Sequence, residues 1–476
     1  MKADLKKIFF IFLICNFVNL FAQEKYDCKE LLASYLENDV DLQKYVLDIS
    51  KSRLSLKQEK LDQGFDISLS TGSMVFYPGT GTAGSSVTIK PSLTAKIPSV
   101  KNLSASVSTD YQFKSSSNTN ELKDTKISMG FDILSSKEAE AKIAVLKKER
   151  DLLEAERKVK SQSLKTENDF YTELKEILTE INDIFTASQT VYTDKLSLEK
   201  LKAQGYSSSS STYRIAQMKV SSGEHDIETG LHDLKLKFIV FYNHCKIKLE
   251  YDDEKFLDYI PQNIPVSEAV AFSDYPKEKY SKIESAKWEN EINTLARKAD
   301  KYFTLGLNAG YTVKNSTTKS DTVDAGVSTT IGGLGLNAGV SMPLGITDFT
   351  PAFTLSSTVS PNSFMTKKIT KQQNSLSEEQ ELLEIKDAEQ NYWDSRISYD
   401  QTAVNLKWEK SSVKENFDIY QKNEEDLLKY FKMGIVTESE YLSASNNRKL
   451  YEVKILINKL EYILYNNNVL TEFVDL

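Results

Sequence analysis

The stretch KYFKMGIVTESEYLSA, residues 429–444, stops one helix and starts another within a few residues. Gly434 supplies the left-handed turn on which many helices end. Thr437-Glu438-Ser439-Glu440 then has the form of a capping box. The threonine hydroxyl caps the new helix, and the glutamate three residues on reaches back to the threonine amide. Upstream, Ile385, Tyr392, Tyr399, Leu406, Val413, Tyr420 and Leu427 recur at every seventh position. Trp393, Ile397, Val404 and Trp408 make a second apolar stripe, roughly 80–100° around the helix at about 100° per residue. One seam suits a pair of helices; two seams ask for neighbours on both sides, as in a ring. A helix of about 65 residues is ~100 Å long and cannot hide in a globular core.

The same order of elements occurs twice. A helical pattern over about 29–62 gives way to period-two alternation in FDISLSTGSMVFY (65–77), SSVTIKPSLTAKI (85–97), NLSASVSTDYQF (102–113) and TKISMGFDIL (125–134). A long helix from about Lys137 to Ala203, a break at Gly205 with serines 207–211, and a second helix to about Tyr242 complete the first half. The second half repeats this, with a helix over about 267–300 and strands at 302–313, 322–331, 333–345 and 350–360. FDISLSTG resembles FTLGLNAG, and LKFIVFYN resembles KLEYILYN, so an internal duplication is the economical reading.

Within NLSASVSTDYQF, Leu103, Ala105, Val107, Tyr111 and Phe113 share one face with Thr109, while Ser104, Ser106, Ser108, Asp110 and Gln112 share the other. Such alternation fits a soluble β-sandwich or a water-filled membrane barrel. Two features favour the barrel: the polar face is rich in small hydroxyls, and the N-terminus reads as an export signal. Lys2, Lys6 and Lys7 precede a short apolar core, Ile8–Leu20, and Ala22 offers a cleavage site. Cys15 lies inside that core rather than after it, which argues against lipidation there.

The net charge of −8, with no basic run, argues against a nucleic-acid surface. No phosphate-binding loop, nucleophile elbow or metal-ligand spacing is present, so catalytic residues, cofactors and metals are not expected. His225, His232 and His244 have no Cys or carboxylate completing a zinc-like set. The expected organisation is a signal (1–22), then a helix (23–62), strands (63–136) and a helical hairpin (137–250) of the first repeat. A linker and helix (251–301), strands (302–364) and a hairpin (365–470) form the second.

This plan resembles the outer membrane efflux proteins of the TolC family, most specifically in the segment TESEYLSA…KLYEVKILINKLEYILYN after Gly434. The resemblance implies an α+β membrane protein: a homotrimeric outer-membrane β-barrel continued by a long periplasmic α-helical barrel. It implies a passive exit conduit in the outer membrane of a two-membrane bacterium. A periplasmic adaptor would dock on the hairpin tips at Gly205 and at Gly434, Ile435, Val436 and Thr437, and an inner-membrane transporter would feed the channel. A non-conducting structural or adhesive protein is the rival. The family carries acidic residues after this turn that narrow the closed tip; Glu440 falls on the first such position and Ser443 on the second, with Glu438 nearby. A gate and a plain helix cap both remain open for Glu440. Cys28 and Cys245 would meet mid-tunnel in such a fold, either as a disulfide or as two buried thiols. One departure stands out: the family has two barrel strands per half, whereas four are read here.

Overall fold

The computed structural model describes residues 26–79, 84–115, 119–300, 303–315, 320–345 and 350–475; the export signal expected at 1–22 lies outside them. The chain divides into two compact units. The first takes the described residues up to Val40, Ser163–Ala271 and Asp400–Leu470. The second takes Asp41–Gln162, Phe272–Tyr399 and the residues from Thr471 on. Helices α1 (Cys28–Glu37) and α2 (Val40–Asp62) are followed by strands β1 (Asp66–Ser70), β2 (Met74–Tyr77), β3 (Ser86–Ile89), β4 (Ser92–Ile97), β5 (Leu103–Lys114) and β6 (Thr119–Leu134). Helices α3 (Lys137–Ala203), α4 (Ser211–His244) and α5 (Ser281–Ala299) come next. Strands β7 (Phe303–Val313), β8 (Thr322–Ile331), β9 (Leu334–Pro343) and β10 (Ala352–Val359), then α6 (Pro361–Lys432) and α7 (Glu438–Thr471), complete the chain.

Three expectations need correction. The first helix is two, because the Asn38 and Asp39 amides turn back onto the Tyr35 and Leu36 carbonyls, both at 3.2 Å. The helix expected from about Ser267 begins only at Ser281. Pro276 interrupts it between two short 3-10 turns, and Asn466 takes the Val270 amide out of any helical bond by accepting it at 3.0 Å. The first two strands are each broken in two, at Gly72 with φ +64° and at Pro91, so ten strands form where eight runs were read.

In the first unit, α3 supplies Phe170, Leu174, Ile177, Leu178 and Ile181, which fall on one helical face. They pack with Leu234, Phe238, Phe241 and Tyr242 of α4 and with Val453, Leu460 and Ile463 of α7. Full burial of each such side chain stabilises by about 1.5–3 kcal/mol, so this cluster fixes the hairpins. In the second unit, Phe272 is fully buried among Tyr280, Tyr392, Tyr399 and Phe473. There Glu284 grips two guanidiniums: Arg150 Nη2 donates to Oε2 at 2.7 Å, and Arg157 donates twice at 3.0 Å.

Candidate conduit wall and hairpin tips

The ten strands form one antiparallel sheet in the order β1-β4-β5-β6-β7-β8-β9-β10, with β2 on β3 and β3 on β5. The broken pairs β1/β2 and β3/β4 each occupy one lane, giving eight lanes. Strands β6 and β7 pair directly, which joins the strands of the two halves of the chain into one sheet. The sheet is open: β1 and β10 each have a partner on one side alone among the described residues.

The register aligns like with like. One apolar rung runs Ile67, Ala95, Ala105, Met129, Ala309, Ala325, Val340, Phe353 across all eight lanes. The rung one residue away runs Ser68, Thr94, Ser106, Ser128, Gly310, Asp324, Ser341. The burial is inverted relative to a sandwich. Met129, Ile127, Val107, Phe353 and Leu355 are exposed, Leu355 by 81%, while Ser106, Ser128 and Ser341 on the other face are half-covered. Ser106 and Ser128 share a hydrogen bond at 2.7 Å on that polar face. A sheet that shows water its aliphatic side and keeps hydroxyls on the other suits lipid outside and water inside. No helix among the described residues is long and apolar enough to cross a membrane.

The two hairpin tips, both in the first unit, share one local chemistry. At Gly434 (φ +72°) the glycine amide donates to the Phe431 carbonyl and the Ile435 amide to the Tyr430 carbonyl, both at 2.9 Å. At Gly205 (φ +79°) the equivalent bonds run to Lys202 at 3.0 Å and from Tyr206 to Leu201 at 3.1 Å. These are paired Schellman closures, for which a left-handed residue is required. Serine plays two parts in the first tip: Ser210 caps α4 by accepting the Tyr213 amide, and Ser207 accepts the Ser209 amide. In the second tip Met433 and Ile435 are exposed beside half-buried Val436, a small apolar knob.

The capping box after Gly434 is formed in full. The Thr437 amide and hydroxyl donate to Glu440 Oε2 at 2.7 and 2.9 Å, and the Glu440 amide returns to Thr437 Oγ1 at 3.3 Å. The donated bonds from the Thr437 amide, then its hydroxyl, hold the Glu440 carboxyl below its usual range. Glu438 is exposed. Ser443 points to its own chain's α3, where it exchanges hydrogen bonds with Gln189 at 2.7 and 3.1 Å. Nearby, the Asn446 amide group donates to the Phe185 carbonyl at 2.8 Å.

Cys28 and Cys245 lie in the same buried cluster as free thiols, and burial pushes each up to about 12. His225 and His232 are exposed; His244 contacts Glu173 at 3.0 Å. Among the described residues no cluster of His, Cys, Asp and Glu could hold a metal. Along α6 the heptad row from Ile385 to Leu427 is buried or half-buried throughout, whereas Trp393, Ile397, Val404 and Trp408 are exposed, Trp408 by 73%. Helix α2 buries no residue, and Val40, Leu47, Leu54 and Leu61 form an exposed row at seven-residue spacing. That row was missed in the sequence, although its heptad spacing was there to be read.

The profile of a family described as the TP096X N-terminal domain matches residues 31–264, and that of the TP096X C-terminal domain matches residues 265–475. No curated protein matches the chain by sequence. Among solved structures, the open state of the MtrE outer membrane channel of Neisseria gonorrhoeae aligns with a TM-score of 0.52 at 11% identity. That alignment covers 96% of this chain and 93% of that one. The fold is TolC-like. The outer membrane protein VceC of Vibrio cholerae aligns at 0.48 and 13% identity, over 92% of this chain and 95% of that one. At such identity the TolC-like resemblance is one of backbone, carried by the order of strands and helical hairpins.

Proposed function

We propose that this chain is the outer-membrane exit channel of a tripartite efflux pump or type I secretion system. In this reading it reaches into the periplasm and passively conducts what an inner-membrane transporter delivers. The observation that carries the reading is the inverted sheet, apolar outward and hydroxyl-lined on the other face. Lipid would cover the outward rungs. A homotrimer would pair β10 of one copy with β1 of the next, removing edges that a lone chain leaves open. The exposed rows on α2 and α6 would be the corresponding helical seams between copies. The adaptor would grip the tips at Gly205 and at Gly434, Ile435, Val436 and Thr437, where exposed Met433 and Ile435 offer an anchor.

Single-channel recording in a planar bilayer tests the proposal. Stepwise conductance is expected from the purified trimer; a trimer that inserts yet never conducts, Glu440→Ala included, would leave the structural or adhesive role. The same recordings separate gate from cap at Glu440. Glutamine also serves in a capping box, so Glu440→Gln keeps the cap and removes the charge. If three carboxylates close the tip by holding cations, Glu440→Gln abolishes block by divalent cations. If Glu440 only caps, the block persists in Glu440→Gln. Thr437→Ala is expected to destabilise the first turn of α7 by about 1 kcal/mol, read as faster amide exchange there.

A further inference from the structure

We infer that the barrel mouth of this channel is about twice as wide as that of a channel with two strands per repeat. Its weakly selective bore would suit bulky hydrophilic cargo. The inference rests on the trimeric channel proposed above and adds to it the width and wall chemistry of its barrel.

Width follows from the lane count. Each chain carries eight lanes in a single sheet that takes in every strand among the described residues, so three copies give 3 × 8 = 24 strands. The broken strands do not reduce this, because β2 and β3 continue the lanes of β1 and β4 along β5. Strands spaced about 4.8 Å apart and tilted about 40° close at a backbone diameter of about 48 Å with 24 strands and about 24 Å with twelve. Allowing about 5 Å of side chain on each wall leaves bores of about 38 and about 14 Å.

The inner wall is kept low and neutral in character. Gly130, Gly306, Gly310, Gly326, Gly335 and Gly339 all fall on the polar face by register. At three of them a side chain would collide with a neighbouring polar group. A Cβ on Gly306 would lie 2.8 Å from the Ser328 hydroxyl, on Gly326 2.4 Å from Asn308 Oδ1, and on Gly339 2.9 Å from the Thr354 hydroxyl. The wall therefore consists of short hydroxyl and amide groups lying flat against bare backbone. It carries charges of both signs: Lys90 pairs with Asp110 at 3.1 Å, Asp66 sits opposite Lys96 in register, Lys126 and Asp132 share β6, and Asp324 stands on β8. Asp324 is the one charged residue of its rung, and three copies spread around a bore of about 38 Å would lie well beyond the ~8 Å screening length of physiological salt, so they form no tight filter of the selective kind.

Two neighbouring positions on β5 test this. Ser106→Cys places a thiol on the inner face and Ala105→Cys one on the outer face. Cys28 and Cys245 are buried and the wild-type protein sets the background. The trimer in lipid vesicles is treated with N-ethylmaleimide, or with a maleimide on a flexible polymer about 25 Å across, a size between the two bores. Both reagents are expected to modify Ser106→Cys at rates within about threefold of each other, and neither to modify Ala105→Cys. Modification of Ser106→Cys by the small reagent alone overturns the wide bore while leaving the channel standing. Modification of Ala105→Cys with Ser106→Cys protected, or of neither, removes the channel reading and this inference with it. Ser128→Cys, across the strand from Ser106, repeats the measurement should Ser106→Cys fail to assemble.

Discussion

Met129→Arg is expected to destabilise the membrane-inserted protein by about 2–4 kcal/mol, the cost of arginine on the lipid face of a barrel near mid-bilayer. Met129 lies in the middle of the apolar rung from Ile67 to Phe353 and is exposed on the outward face. Its neighbour on β6, Ser128, lies on the opposite face. Ser128→Arg is therefore expected to cost far less, since an inward arginine meets water. Denaturant titration of the protein folding into vesicles, following the fraction inserted, measures both. The ordering is the decisive quantity. A soluble sandwich would reverse it, because there the apolar face is the core and the serine face is the surface.

Glu284→Gln is expected to cost about 3 kcal/mol, at the low end for breaking a buried ion pair, because it leaves two desolvated guanidiniums short of a partner. The Arg150 side chain is 5% exposed and that of Glu284 23%. Burial raises the Glu284 carboxyl, and the bonds from Arg150 and Arg157 more than offset this, so it titrates below its ordinary value near 4.5. A depressed carboxyl contributes its full stability above that ordinary value and loses it as pH falls through the lower, folded value. The second unit should thus hold its stability from neutral pH down to about 4.5 and weaken below it. In Glu284→Gln that acid-side slope should flatten. Asp475, whose carboxyl Arg157 also lowers, keeps a share of the slope. Thermal unfolding at a series of pH values reads both effects, and an unchanged slope in the variant would sink the assignment.

Much of this fold was legible because it is periodic. The row from Ile385 to Leu427 announced a helix with a continuous partner, and the structure buries Tyr392 and Leu406 of that row and half-buries the rest. The alternation in residues 102–113 announced a strand with two unlike faces, and Gly434 with Thr437 announced the turn and the cap. What was illegible is non-periodic. Pro91 breaks a strand whose alternation continues in phase, from Val87 and Ile89 to Leu93 and Ala95, so pattern alone runs straight through it, whereas at Gly72 the apolar face passes from Ile67 and Leu69 to Met74 and Phe76, a change of phase that runs this short conceal. Pro276 sits in an otherwise helical composition, and the reach of Asn466 to residue 270 spans 196 positions. The Arg150–Glu284–Arg157 cluster likewise joins residues 127 or more apart with no local signature. At the tip, sequence left Glu440 between two roles. The structure shows the cap complete within the chain.

The free edges of β1 and β10 carry a consequence for biogenesis. A single chain in a bilayer would present two rows of unpaired amides and carbonyls to hydrocarbon, at several kcal/mol for each group. In the trimeric channel proposed above, insertion one copy at a time would therefore be uphill, and the copies would have to meet before the sheet enters lipid. The yield of inserted protein should rise more steeply than linearly with chain concentration. Until that meeting the aliphatic rungs would stand exposed to water, so a holdase that covers them should raise the yield of inserted protein.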